Sequence, residues 1–244
     1  MKRKDRRSIR SYSDKEVSQE LLNDIISAAS RASTTGNMQL YSIIVTRSQE
    51  MKEKLSPFHF NQPMIKSAPI VLTFCADLNR FVKWCEINNA IPGYDNFQSF
   101  TAAMLDTTII AQAFCDEAES RGLGICYLGT TTYNAKDIID TLALPKRVIP
   151  ITTITVGYPA DIPPQVERLP LEAFVHNEVY CDYDEKMIKS LYSEKESLEA
   201  NQKFVKENNK ETLAQVFTDI RYTKNNNEVF SKKFIDVLKE NNFL

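Results

Sequence analysis

Apolar residues recur at helical spacing through Val17, Leu21, Leu22, Ile25, Ile26 and Ala29, behind Ser13-Asp14-Lys15-Glu16, which has the form of a capping box. This pattern predicts a first helix that ends near Ala32. The polar turn Ser33-Thr34-Thr35-Gly36-Asn37 then gives way to Tyr41-Ser42-Ile43-Ile44-Val45-Thr46, whose β-branched density predicts a strand. A short helix is expected over Gln49 to Leu55, and Pro69 to Ala76 is a near-continuous apolar run of strand length, as in a central strand buried on both faces. Asp77 is placed to cap a helix that runs through Trp84 and Ile87, and Ile91-Pro92-Gly93-Tyr94-Asp95-Asn96 is a loop.

From Phe97 to Ser120 the pattern is apolar on nearly every side, which predicts a long helix buried all round, at the heart of a domain or of a dimer. Gly122 follows it in the usual C-terminal position, and Ile125 to Gly129 is the next strand. A helix from Asn134 to Leu142, a β-branched strand from Val148 to Gly157 and a proline-rich extended arm to about Tyr180 complete the patterned part. Beyond Asp184 the chain becomes charged, Asn-rich and helical, and Phe230, Phe234, Ile235 and Leu238 mark a last amphipathic helix. Strands interleaved with helices give an α+β layer architecture with helices on both sides of a sheet.

A length of 244 residues with 43% hydrophobic content is enough for one large domain with a substantial core. The formal charge of −2 provides no global basic field for nucleic acid or an anionic membrane. Cys75, Cys85, Cys115, Cys126 and Cys181 form no C-x-x-C pair and suit a reduced cytoplasm; no secretory leader or membrane-spanning run is expected. His59 and His176 are far apart, which leaves little material for a histidine zinc site or a Ser-His-Asp triad. Glycine-rich dinucleotide and P-loop motifs do not occur, so a phosphate site has to be built from side chains.

Arg6-Arg7-Ser8-Ile9-Arg10 is the leading candidate for such a site, because guanidinium forks and a hydroxyl match phosphate oxygens. The same run, preceded by Lys2-Arg3-Lys4-Asp5, also fits a solvated basic tail or a nucleic-acid-binding arm. The hydroxyl-rich Ser33 to Asn37 segment fits either a ligand-contacting loop or an ordinary turn.

A resemblance separates these alternatives. Arg6-Arg7-Ser8-Ile9-Arg10-Ser11-Tyr12, Ser33 to Gln39, Phe74 to Arg80, Ala118 to Gly124, Tyr127-Leu128-Gly129, Leu144-Pro145, Val156 to Asp161 and Arg168-Leu169-Pro170 occur in the order found in the nitroreductase superfamily. With Val175 to Tyr180 and the long C-terminal portion, the chain resembles most closely the oxygen-insensitive NADPH nitroreductase and flavin reductase branch. The resemblance implies a mixed, mostly antiparallel central sheet flanked by helices, with residues 1–180 as an FMN-binding core and 181–244 as a helical extension embracing a dimer partner. It also implies a homodimer with two FMN sites at the subunit interface, reduced by NADPH or NADH, and a small aromatic acceptor.

By correspondence, Arg6, Arg7 and Ser8 address the FMN phosphate and ribityl chain, joined by Arg168, and Arg10 lies nearer the pyrimidine end. A cation there stabilises the negative charge of reduced flavin. Thr34, Gly36 and Asn37 reach the cofactor from the partner subunit, Gln62 contacts the flavin, and Tyr127, Leu128, Gly129 and Thr130 run along the ring edge, with a backbone N–H near Gly129 toward N5. Three departures stand out. The Gly-Gly and arginine that follow the Tyr-Leu stretch in relatives are Gly129-Thr130-Thr131-Thr132 here; a lysine before the arm arginine is Val166; and the arginine-rich C-terminal loop is Asn208-Asn209-Lys210-Glu211, leaving Lys210 and Arg221 as the nearest candidates for the NADPH 2'-phosphate. The expected activity is ping-pong reduction of nitroaromatics, quinones or free flavin; the alternatives are a specialised dehydrogenase or flavin-modifying member of the same superfamily and a flavin-less binding protein with a basic arm.

Overall fold

In the computed structural model, which describes residues 3–244, the chain forms two compact units, one running to Pro164 and resumed over Phe230–Leu244, the other Gln165–Val229. The first unit contains, in chain order, α1 (Gln19–Ala29), β1 (Tyr41–Thr46), α2 (Gln49–Leu55), α3 (Pro63–Ser67), β2 (Ile70–Asp77), α4 (Asn79–Ile87), α5 (Phe97–Ser120), β3 (Gly124–Leu128), α6 (Ala135–Thr141) and β4 (Val148–Gly157). The strands form a sheet in the order β1-β2-β4-β3 with every pairing antiparallel.

Strand alternation sends side chains to two faces, and both are covered. Ile70, Leu72 and Phe74 of β2 pack with Leu22 and Ile25 of α1 and with Ile110 and Phe114 of α5. On the opposite face, Val71 joins Met64 and Ile65 of α3 and Cys126 and Leu128 of β3. With both faces covered, all eight residues of β2 are buried, as its unbroken apolar run predicts.

One boundary and one burial pattern differ from the periodicity. Helix α1 starts at Gln19, with the Ser18 hydroxyl accepting from Leu21 N–H, and not at the capping box of Ser13. Ser13 N–H instead donates to Tyr158 O at 2.9 Å, and Ala160 N–H donates to Ser11 O at 3.1 Å. The segment is thus recruited as an extended strip beside the end of β4, and a strip cannot also be helix. Helix α5 has the expected span but is not buried all round: Leu105 is 52% and Ile109 41% exposed, on the side away from Phe100, Ala103, Ile110 and Phe114. A single helix face can rest on a sheet, so the second apolar face turns outward.

The second unit carries the extended arm, α7 (Glu185–Ser197), α8 (Glu199–Glu207) and α9 (Leu213–Val216). Asp184 caps α7 through Met187 N–H, Thr212 caps α9 through Gln215 N–H, and Leu213 and Val216 supply its buried apolar residues. The last helix, α10 (Lys224–Glu240), begins in this unit and continues into the first, where Val237, Leu238 and Phe243 pack with Leu40, Phe100 and Ile149. Among the described residues no helix is long and apolar enough to cross a membrane.

Candidate functional site

The arginine cluster is not a loose tail. Ile9, at its centre, is 5% exposed and donates its N–H to Ile125 O at 3.0 Å, which lays the segment along the outer strand β3. Tyr12 closes the next turn: its hydroxyl donates to Ile9 O at 2.8 Å and lies 2.6 Å from Thr155 Oγ1. Burial pushes the Tyr12 phenol well above its ordinary pKa, so the group remains a donor. Residues on either side of Ile9 are thereby held along one strand edge.

Within that strip the four predicted contacts have different surroundings. Arg6 Nε lies 3.2 Å from Glu119 Oε1, a buried carboxylate near the end of α5, so Arg6 has a protein anion beside it. Arg7 donates from Nη1 to Asp5 O at 2.6 Å, yet its Nε–H is buried with no acceptor among the described residues. Ser8 is half-buried and Arg10 exposed. Burial raises the Cys126 thiol pKa, and Arg10, then Arg6, act against that rise, which places both cations near the middle of β3. A buried guanidinium donor left without an acceptor is costly unless an external acceptor is supplied. This is the donor set a phosphate monoester attached to a polar chain requires.

The other end of β3 meets the turn before α3. There Gln62 is half-buried and does not cap the helix that it precedes. Gly129 is exposed, and a Cβ built on it would meet nothing within 4 Å. Tyr127 points the other way, its hydroxyl 3.5 Å from Gln112 Oε1 on α5, whereas Leu128 is buried beside Met64 and Ile65. Only the backbone of Tyr127 and Leu128 therefore follows the strand edge. Thr130 Oγ1 lies 2.8 Å from His59 Nδ1. Arg10, Cys126, Thr130, His59 and Gln62 thus follow one another along a single border of the sheet.

Thr34, Gly36 and Asn37 are elsewhere. Their loop precedes β1, on the opposite edge, and with two strands between β1 and β3 the separation is about 14 Å across the sheet alone. The loop is built on Asp106 of α5: Thr35 N–H and Oγ1–H donate to Oδ1 at 2.8 and 2.9 Å, and Leu40 N–H to Oδ2 at 3.2 Å. Gly36, Asn37 and Gln39 have φ of 54°, 56° and 50°, the left-handed region in which glycine and asparagine are the least costly residues. One chain therefore does not bring the two halves of the predicted set together.

In the second unit Arg168 is exposed, with Nη1 donating to Glu167 O at 2.8 Å. Lys210 is paired with Asp219 at 2.8 Å, and the Arg221 guanidinium lies 4.3 Å from the centre of the Phe204 ring. Asp106, Glu119 and His59 were not singled out from the sequence as parts of the site. Asp106 had a signal, being the only charged residue between Phe97 and Cys115. Glu119 and His59 had none, because their partners lie more than 70 residues away in the chain.

Residues 4–158 match the model of the Nitroreductase family. Among curated proteins, the FMN reductase (NAD(P)H) of Bacillus subtilis strain 168 is 37% identical over 183 residues, which is 74% of each chain. The oxygen-insensitive NADPH nitroreductase of Salmonella typhimurium is 34% identical over 182 residues, 75% of this chain and 74% of that one. A crystal structure from Bacteroides fragilis NCTC 9343, described as that of an oxidoreductase, superposes with a TM-score of 0.98 at 58% identity, covering 99% of this chain and 98% of that one.

Proposed function

Since the chain belongs to the nitroreductase family, we propose that it is an FMN-dependent oxidoreductase, which oxidises NAD(P)H and passes two electrons to a nitroaromatic, a quinone or free flavin in a ping-pong cycle. The observation that carries this reading is the strip along β3: a buried Arg7 donor without an acceptor among the described residues, Ser8 and exposed Arg10, continued by Gln62 and the open backbone of Gly129. Two of the relatives described above are named for FMN or nitro reduction with NAD(P)H.

Bound FMN would supply the hydride-accepting and electron-donating chemistry, which no side chain of this protein provides. Arg7 and Ser8 would hold the phosphate end, while Arg6 acts through its pairing with Glu119 to keep the segment in place. Arg10 would neutralise negative charge at the pyrimidine end. Gln62, Thr130 and the backbone of Tyr127, Leu128 and Gly129 would border the ring. Thr34, Gly36 and Asn37 lie on the far edge of the sheet, which favours their contribution coming from a second copy of the chain. The outward face of α5, with Leu105 and Ile109, is apolar surface suited to that homodimer. Five thiols, four of them buried, suit a reducing cytoplasm.

The visible spectrum of the purified protein, recorded anaerobically before and after NADH and then NADPH, tests the reading. A flavin spectrum that bleaches on addition of nucleotide and recovers with a quinone is expected. A protein that stays colourless after incubation with FMN would overturn it.

A further inference from the structure

His59 is fully buried at 0% exposure and takes no part in the function derived above. It sits on the 3-10 turn Ser56–His59, from which the chain passes through Phe60 and Asn61, both at φ 53°, to Gln62. For a phenylalanine this is a strained backbone, and it persists only where the surroundings hold it. Phe60 N–H donates to Pro57 O at 3.0 Å and Asn61 N–H to Ser56 O at 2.9 Å, and three further hydrogen bonds flank the turn. His59 Nδ1 lies 2.8 Å from Thr130 Oγ1, His59 O accepts from Gln62 N–H at 3.2 Å, and Phe58 O accepts from Asn134 Nδ2 at 2.7 Å.

On the other side, Thr131 Oγ1 lies 3.0 Å from Thr153 Oγ1 and 3.2 Å from Leu128 O, both within hydrogen-bond reach of its hydroxyl. The two adjacent threonines are thus tethered in different directions, Thr131 into the sheet and Thr130 to the turn. Gly129 precedes this doubly tethered pair, with its own surface open.

We propose that His59 is a positioning residue for the flavin ring: through Thr130 it fixes the backbone at Gly129 relative to Gln62, so that the two contacts on either side of the ring edge keep one spacing. This rests on the functional reading above. Burial holds the imidazole pKa at about 4, so that the ring is neutral at physiological pH. Its Nε2 is buried without a partner among the described residues. An apolar residue would fill the same space without that cost, so packing alone gives no reason for a histidine.

The test combines Thr130→Val, which removes the hydroxyl at constant shape, with His59→Leu, the double variant, and the conservative variants His59→Asn and Thr130→Ser. For each, FMN affinity is measured by fluorescence quenching, the bound flavin by visible circular dichroism, and folding by thermal unfolding of the flavin-free protein. Each single disrupting variant is expected to weaken FMN binding about tenfold and to alter the flavin circular dichroism. The double variant should be no weaker than the single ones, and His59→Asn and Thr130→Ser should recover most of the loss. Wild-type affinity and spectrum in Thr130→Val, or losses that multiply in the double variant, would overturn the proposal while leaving the function intact. Loss of flavin-free stability without change in the bound flavin would also overturn it, since that marks a structural role. A wild-type protein that does not bind FMN removes the functional reading and this proposal together.

Discussion

Ile9 occupies the space where a side chain at Gly124 would have to be: a Cβ built on Gly124 would fall 2.6 Å from both Cβ and Cγ1 of Ile9. Those atoms are next to the backbone and cannot swing away as a long side-chain end could. Gly124→Ala is therefore expected to lift the Arg6 to Arg10 strip from β3, with a loss of roughly 1–3 kcal/mol of stability and a larger fractional loss of FMN affinity. Chemical unfolding with and without FMN measures both; wild-type affinity in this variant would show that the strip does not carry the site.

Asp106 accepts from two backbone N–H groups and one hydroxyl of the loop before β1. Asp106→Ala would leave Thr35 and Leu40 N–H without their acceptor, at an expected cost of roughly 2–4 kcal/mol. If the loop serves the partner's flavin, Asp106→Asn should also weaken FMN binding while the dimer persists in sedimentation velocity. Unchanged FMN affinity would confine Asp106 to a role in folding.

His59 makes stability depend on acidity. Its pKa is about 4 when folded, against an ordinary value of 6.5, so between these values the unfolded chain binds the proton more readily. The contribution is complete above pH 6.5, declines as pH falls, and levels off below about 4, with a total of about 3 kcal/mol. Urea midpoints at pH 7 and pH 4.5 should differ less in His59→Asn than in the wild type. Equal differences would assign the acid sensitivity to carboxylates alone.

Arg10 is exposed, so its removal should leave folding nearly unchanged. Arg10→Ala is expected to lower the flavin midpoint potential and to slow anaerobic reduction by NAD(P)H by about tenfold or more. An unchanged potential would move the compensating charge to another residue.

Lys210 is neutralised by Asp219, whose carboxyl is held below its ordinary pKa by that lysine, and Arg221 rests on Phe204. Lys210 is thus engaged by an anion, and of the two only Arg221 keeps an unpaired charge among the described residues, so the preference for NADPH over NADH should be below about tenfold in kcat/KM. Asp219→Asn should raise that ratio if Lys210 meets the 2'-phosphate. A strong NADPH preference in the wild type would point to other cations.

Periodicity and residue chemistry alone determined most of the local structure. The unbroken apolar run of β2 and the 24-residue span of α5 were legible because burial on a regular element repeats in the sequence. The order of motifs singled out the arginine strip and the Gly129 turn as candidates, because guanidinium forks suit phosphate oxygens and an open glycine backbone suits a ring edge. Tertiary structure decided what periodicity does not encode. Pairing with Tyr158 and Ala160 turned Ser11 to Ser13 into a strip and delayed α1 to Gln19. The sheet order β1-β2-β4-β3 placed the Thr34 loop and the arginines on opposite edges. The partnerships of Asp106 with Thr35, Arg6 with Glu119 and His59 with Thr130 span 71 residues or more. A hydrogen bond or ion pair between side chains so far apart depends on where folding brings them, and no local pattern of apolar and polar positions carries that information.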